Sequence, residues 1–176
     1  MTVLRETLQA LWQALEKSDF SKIKQVGQDA ARDAFVYEDK ELLETSLVCY
    51  SLYKLSQKHY IARSREWKAL VAATIEKLED CCSNGADSGK TAHQLMEKVH
   101  GLSLKFGRLA QTSVEKGRLR AAAQMYAHGA SLAKAVELSG APLSEAAAYI
   151  GGTKIAEKYQ TMSVGKRMEK TRALFL

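Results

Sequence analysis

Residues 85–91, GADSGKT, place a glycine, a lysine and a threonine in the order used to hold a phosphate. A phosphate-binding loop needs four residues between its first glycine and the Gly-Lys-Thr, so that its backbone N–H groups can wrap the anion, and it must follow a buried strand. Here three residues intervene, and Asn84 stands where the first glycine is needed. The residues leading in, IEKLEDCCSN, are acidic and helical in pattern. The stretch therefore reads as a loop, with Ser88 or Thr91 capping the helix that follows.

Metal and nucleophile chemistry find no frame either. Cys81 and Cys82 are adjacent. On a helix they point apart, whereas zinc sites space paired cysteines by two to four residues so that both thiolates reach one ion. His93 and His100 share a helical face, as ordinary surface or core histidines also do. Cys49 lies in the most apolar stretch and reads as a small core residue. His59, His93, His100 and His128 are scattered, and Glu41 with Glu44, and Glu79 with Asp80, are helix-surface carboxylates. No serine or cysteine is framed by a histidine and a carboxylate. The sequence points to a non-enzymatic protein with no catalytic residue, metal or cofactor.

The segment with the clearest physical grammar is ASLAKAVELSGAPLSEAAAYIG, residues 130–151. A helix-turn-helix ends its first helix at a left-handed residue, usually glycine, and presents the N-terminal end of its second helix to the major groove. Gly140 fits the turn. Leu132, Ala135, Val136 and Leu138 supply an inner face for the first helix, and Ala141 follows the turn. Pro142 suits a first helical position, where its missing N–H goes unmissed. Ala146, Tyr149 and Ile150 face inward from the second helix. RLRAAAQMYAHGAS supplies a preceding helix, with His128-Gly129 as its stop and Ser131 as the next cap.

Residues 120–154 on this pattern resemble the helix-turn-helix of small prokaryotic antitoxin-like and transcription-regulator proteins. In those, G-x-x-S-L-x-x-A-A-x-x-x-G-hydrophobic-S marks the first helix and turn. Val136 departs from the usual alanine, and Ser139 from the usual apolar residue. The resemblance implies DNA binding, with Ser144, Glu145, Ala148 and Lys154 on the outer face of the second helix. Base readout generally uses Arg, Lys, Asn or Gln, and Glu145 would repel phosphates unless it accepts from a cytosine amino group. Phosphate contacts fall to Arg118 and Arg120 before the motif and to Lys154, Lys158, Lys166, Arg167, Lys170 and Arg172 after it, giving affinity without sequence information.

Charge supports a polyanion partner. The chain of 176 residues has a net charge of +6. Residues 1–90 sum to −1 and residues 91–176 to +7. The asymmetry predicts a basic, nucleic-acid-facing half, with DNA as the expected partner and RNA an open alternative, and a neutral half for a protein partner or a homodimer contact. In the rival reading the same segment is an ordinary hairpin in a protein-interaction module or adaptor, and an apolar groove receives a partner helix. A third reading puts an enzyme site between the halves, using His59, His93 or His100.

These side chains must be positioned by helices. One proline in the chain leaves little to interrupt them, and no stretch alternates with the period of a strand. The fold class is all-α, a helical bundle with a C-terminal portion containing the helix-turn-helix. TVLRETLQALWQALEK has Val3, Leu4, Leu8, Leu11, Trp12 and Leu15 on one face. SKIKQVGQDAARDAFVY follows, capped by Asp19 or Ser21. DKELLETSLVCYSLYKLSQKHY, capped by Asp39 or a neighbour, is apolar almost all round in its middle, which places it at the centre of a bundle. SREWKALVAATIEKLEDCC is amphipathic. SNGADSGK is the break, and it sets an N-terminal bundle of residues 1–82 apart from a basic portion of residues 91–176. Beyond it a helix over 91–117, bent near Gly101, precedes RLRAAAQMYAHG and the motif. The tail is expected to end in a helix docking through Met168, Leu174 and Phe175. No repeat recurs at 34 residues. An odd cysteine count, no signal-peptide pattern and no apolar run of about 20 residues predict a cytoplasmic protein outside the membrane.

Overall fold

In the computed structural model, residues 3–106 and 108–153 are described, and all the regular structure among them is helical. In order the helices are α1 (Val3–Glu16), α2 (Phe20–Tyr37), α3 (Lys40–Ser56), α4 (His59–Ala62), α5 (Arg65–Asn84), α6 (Ser88–Phe106), α7 (Arg108–Ala127), α8 (Leu132–Ser139) and α9 (Leu143–Gly152). The protein is an all-α helical bundle. No helix among the described residues is long and apolar enough to cross a membrane.

The order of burial follows from which faces are apolar. α1 sinks Leu4, Leu8, Leu11 and Leu15 and keeps its charges outside. α2 buries mainly small residues, Gly27, Ala30, Ala31 and Ala34, with Ile23 and Val26. From Thr45 to Leu52, α3 has no exposed side. Leu42, Leu47, Val48, Cys49, Leu52 and Leu55 are all buried, and so are Thr45, Ser46 and Ser51. It is the bundle's axis, packed most broadly on α2 and also on α7, α6 and α1. Helices on both sides of residues 83–90 contribute to one hydrophobic cluster, from Leu8 and Leu52 to Met125 and Ala146.

The caps are local and chemical. Asp19 accepts from the Lys22 N–H, and Asp39 from those of Glu41 and Leu42. Glu38, at φ 50°, turns α2 directly into the Asp39 cap. α5 ends on Gly85 at φ 73°. The expectation for α6 needs correction. Its start is capped by Asp87, whose Oδ1 accepts from Gly89 at 2.9 Å and Lys90 at 3.1 Å. Thr91 lies inside the first turn and donates to the Asp87 carbonyl at 2.8 Å. Asp87→Ala is expected to cost about 1 kcal/mol, and Asp87→Ser to restore most of it, as read from urea midpoints at constant m-value.

Two helix boundaries also differ from expectation. The run proposed for residues 91–117 is divided between α6 and α7, and α7 then continues unbroken through Gly117 to Ala127. Gly117 is a packing position rather than a stop. A Cβ there would stand 3.2 Å from Leu47 Cδ2 and from Tyr50 Cδ1, so its absence lets α7 lie close on α3. The run from Asp39 to Tyr60 stops at Ser56, and His59–Ala62 forms a separate turn of helix.

Candidate nucleic-acid interface

The segment opened by α7 has the local geometry that its glycine and serine dictate, but Pro142 is the N-cap of α9, extended at ψ 133°, rather than its first helical residue. Ser131 caps α8 by accepting from the Lys134 N–H at 3.1 Å. α8 ends on Gly140 at φ 64°, whose N–H returns to the Val136 carbonyl at 2.9 Å. Ala135 and Ala146 are fully buried and Ala141 nearly so, small side chains that let α8 and α9 approach α7. Ser139 is buried where an apolar residue is usual, and its hydroxyl explains why. It donates to the Val136 carbonyl at 3.4 Å and accepts from the Ala141 N–H at 3.3 Å, pairing backbone groups of the turn. α7, at 20 residues, is longer than the short preceding helix expected.

The outer face of this unit is chemically sparse. Leu143, Ser144, Glu145, Ala147 and Ala148 are exposed at the start of α9. Arg118 is exposed, and its guanidinium lies 3.9 Å from where a Cβ on Gly140 would stand, close to the turn. Lys134 is engaged by Glu38 at 3.1 Å, tying α8 to the end of α2, and that contact raises its pKa. Lys154, Lys158, Lys166, Arg167, Lys170 and Arg172 lie outside the described residues, as do Met168, Leu174 and Phe175.

Arg118 and Arg120 do not share a surface. Two residues apart on a helix is about 200° of rotation. Arg120 turns the other way, into α3, with its guanidinium 5.6 Å from the centre of the Tyr50 ring. There it joins a group of cations that the sequence did not single out. Lys24 of α2 lies 5.4 Å over the Tyr53 ring, and Lys54 of α3 lies 5.9 Å from Tyr50 and 5.6 Å from Tyr53. Between α3 and α7 a groove of about 330 Å³ is lined by Tyr50, Lys54, Lys58, Thr112, Ser113 and Lys116. A small cavity between α2, α3 and α7, also walled by Tyr50, is lined by Lys24, Gln28, Ser46, Arg120 and Gln124, among others. Neither lining contains a carboxylate or a histidine among the described residues.

The electrostatics follow. Lys24 and Arg120 line the small cavity and Lys54, Lys58 and Lys116 the groove; the two depressions share Tyr50, and neither wall holds an acidic side chain among the described residues. Burial pushes the Tyr50 phenol above its usual range, nearby Tyr149 adds to this, and Arg120 opposes it. The aromatic faces and lysine ammoniums are within cation–π reach, which orders flexible side chains along the groove.

A second, larger depression of about 600 Å³ lies over α3 and α6, lined by Lys40, Glu41, Glu44, Asp87, Lys90, His93 and Glu97. Its charges are mixed. His93 lies 3.4 Å from Glu44 and 3.8 Å from Glu97, so this histidine is held by carboxylates. Among the described residues, no three His, Cys, Asp or Glu side chains gather as a metal-binding set. Cys49 is wholly buried in α3, and burial pushes its thiol up to about 12, which makes it a core residue and no nucleophile. No protein-family model, curated protein or solved structure matches the chain.

The signal for the crevice was present in the sequence but dispersed. Lys24, Lys54 and Lys58 belong to the half of the chain whose net charge is −1, where acidic residues on other faces mask them. Lys116 and Arg120 are four apart on α7 and mark one helical face, whereas Lys58 lies past the end of α3, in the link to α4. What the sequence cannot supply is that this face meets α3.

Proposed function

We propose that the protein is a non-enzymatic nucleic-acid-binding protein of the cytoplasm, in the manner of a regulator. The observation that carries this reading is a carboxylate-free groove between α3 and α7 lined by Lys54, Lys58 and Lys116, which shares Tyr50 with the small cavity lined by Lys24 and Arg120. A cation-lined groove with aromatic side chains matches a sugar–phosphate backbone in charge and shape. The α8–turn–α9 unit, with Arg118 and Ser144 on its outer side, offers a second contact, and the basic residues from Lys154 to Arg172 add charge to the same half of the chain. With few donors on α9, binding is backbone-dominated and weakly sequence-selective.

Fluorescence-anisotropy titration tests this, using mixed-sequence duplex and single-stranded oligonucleotides at low and physiological salt. The wild type is run beside Lys54→Glu with Lys116→Glu, and beside Lys166→Glu with Arg167→Glu. Binding is expected to weaken as salt rises. The crevice variant should reduce the slope of log affinity against log salt by about two, one for each lost phosphate contact. Binding untouched by the crevice variant but lost on reversing Lys166 and Arg167 would move the interface to the tail. No binding of any oligonucleotide at low salt would sink the reading.

In that case the rival is a protein-interaction module. The observation that favours it is the exposure of Val36, Tyr37 and Leu143, each more than half exposed.

A further inference from the structure

We propose that the groove between α3 and α7 seats the end of a nucleic-acid strand, taking a terminal phosphomonoester rather than an internal phosphodiester; this rests on the nucleic-acid reading above. The groove is about 330 Å³ and is lined by Lys54, Lys58 and Lys116. The three come from separate places in the chain: α3, the link to α4, and α7. Lys54 is held beside the rings of Tyr50 and Tyr53, at 5.9 and 5.6 Å. Among the described residues, none of the three lysines is in an ion pair. The lack of acid is already written in the chain. No Asp or Glu stands between Glu44 and Glu66, and only Glu115 stands between Glu97 and Glu137. The groove is built from these two stretches.

Size sets the first limit on what can sit there. A volume of about 330 Å³ is at the lower end of small-ligand sites, which run ~300–1,000 Å³. Domains that track a strand along its length engage ~4–16 nucleotides. Charge sets the second limit. An internal phosphodiester brings one negative charge per nucleotide. A terminal phosphomonoester carries about −1.5 to −2 near neutral pH and offers three acceptor oxygens. Three ammoniums around one small space repel one another, and a dianion relieves more of that repulsion than a monoanion. The choice of cation agrees. A lysine ammonium is a compact point charge with rotatable donors, which suits a tetrahedral group arriving end-on. The arginine fork, which reads the edge of guanine, is absent from this lining among the described residues.

Fluorescence anisotropy at low salt tests this with short single strands of one sequence that differ only at one end. The end is a hydroxyl, a phosphate, or the methyl ester of that phosphate, which keeps the phosphorus but loses one charge. The 5′ and 3′ versions are both made, each labelled at the opposite end. The wild type is expected to bind the phosphate-ended strand of one polarity about tenfold tighter than its hydroxyl-ended counterpart, the order expected of a hydrogen bond to a charged group. The methyl ester should fall close to the hydroxyl. Lys58→Gln with Lys116→Gln changes two exposed side chains and should bring the phosphate/hydroxyl ratio to about one. Lys90→Gln, a charge lost from the mixed depression over α3 and α6, should leave the ratio as it is. Equal affinity for all three ends overturns this inference and leaves the function above standing. So does a methyl ester bound as tightly as the phosphate, or a preference that survives the double variant. Competition by adenosine 5′-monophosphate as strong as that of the phosphate-ended strand makes the ligand a free nucleotide and also overturns it. Should the double variant fail to fold, the methyl ester on the wild type decides alone. No binding of any strand overturns both readings.

Discussion

Leu52→Ala is expected to lower the unfolding free energy by about 3–4 kcal/mol, within the ~2–5 kcal/mol range of buried leucine truncations. Leu52 is completely buried at the middle of α3, the helix that packs on α1, α2, α6 and α7. Truncation removes the transfer free energy of the lost methyl and methylene groups. It also leaves a void that the surroundings cannot close, because every neighbouring helix is itself held on other sides. Domains are stable by only about 5–15 kcal/mol, so one such change removes a large fraction of the total. Urea unfolding checks it, with a lower midpoint and an unchanged slope. A loss below about 1 kcal/mol would mean that α3 is not the closed axis of the bundle.

The second large effect comes from adding one methyl group. Gly27→Ala places a Cβ 2.8 Å from the Cys49 Cβ and 3.3 Å from the Ser46 carbonyl oxygen. Neither neighbour is the end of a flexible side chain, so relief requires α2 and α3 to move apart. Overpacking of this kind costs about 1–3 kcal/mol. Alanine is a better helix former than glycine by about 1 kcal/mol, which offsets part of the cost. The net expectation is destabilisation by up to about 2 kcal/mol, rising further for Gly27→Val. Gly101→Ala supplies the contrast. Gly101 also lies within a helix, but nothing stands within 4 Å of its Cβ position. There the propensity gain is unopposed, and stability should rise by up to about 1 kcal/mol. Thermal melts of the two variants in one buffer should shift in opposite directions.

The same two glycines show what could be read from the chain and what could not. Helix content, the central place of SLVCYSLYKL, and the caps Asp19, Asp39 and Ser131 follow from side-chain type at short range, and the sequence displays them directly. Gly140 likewise reads as a turn, because its neighbours are a helix end and a proline. Gly101, Gly117 and Gly27 look alike in sequence. Only the packing partner tells an indifferent glycine from one where helices touch, which is why the division near residue 107 was placed elsewhere. Asp87 is legible in the same way, since an aspartate just before a helix is a cap by the same rule as Asp39. The crevice was of the other kind. Lys116 and Arg120 are recognisable as one face of α7, but their meeting with Lys54 depends on α3 and α7, about sixty residues apart, lying side by side.

α3 and α9 stand at opposite ends of a scale of local stability. Ten residues of α3 are buried, against Ala146 alone in α9. Breaking the hydrogen bonds of α9 therefore exposes little apolar surface, while opening α3 undoes the whole core. Amide protons in α9 should exchange with solvent through small local openings, and those of α3 only when the entire molecule unfolds. In the function proposed above, the N-terminal end of this lightly anchored helix is the part that meets nucleic acid. It is free to adjust its seat there without disturbing the frame that holds the lysines.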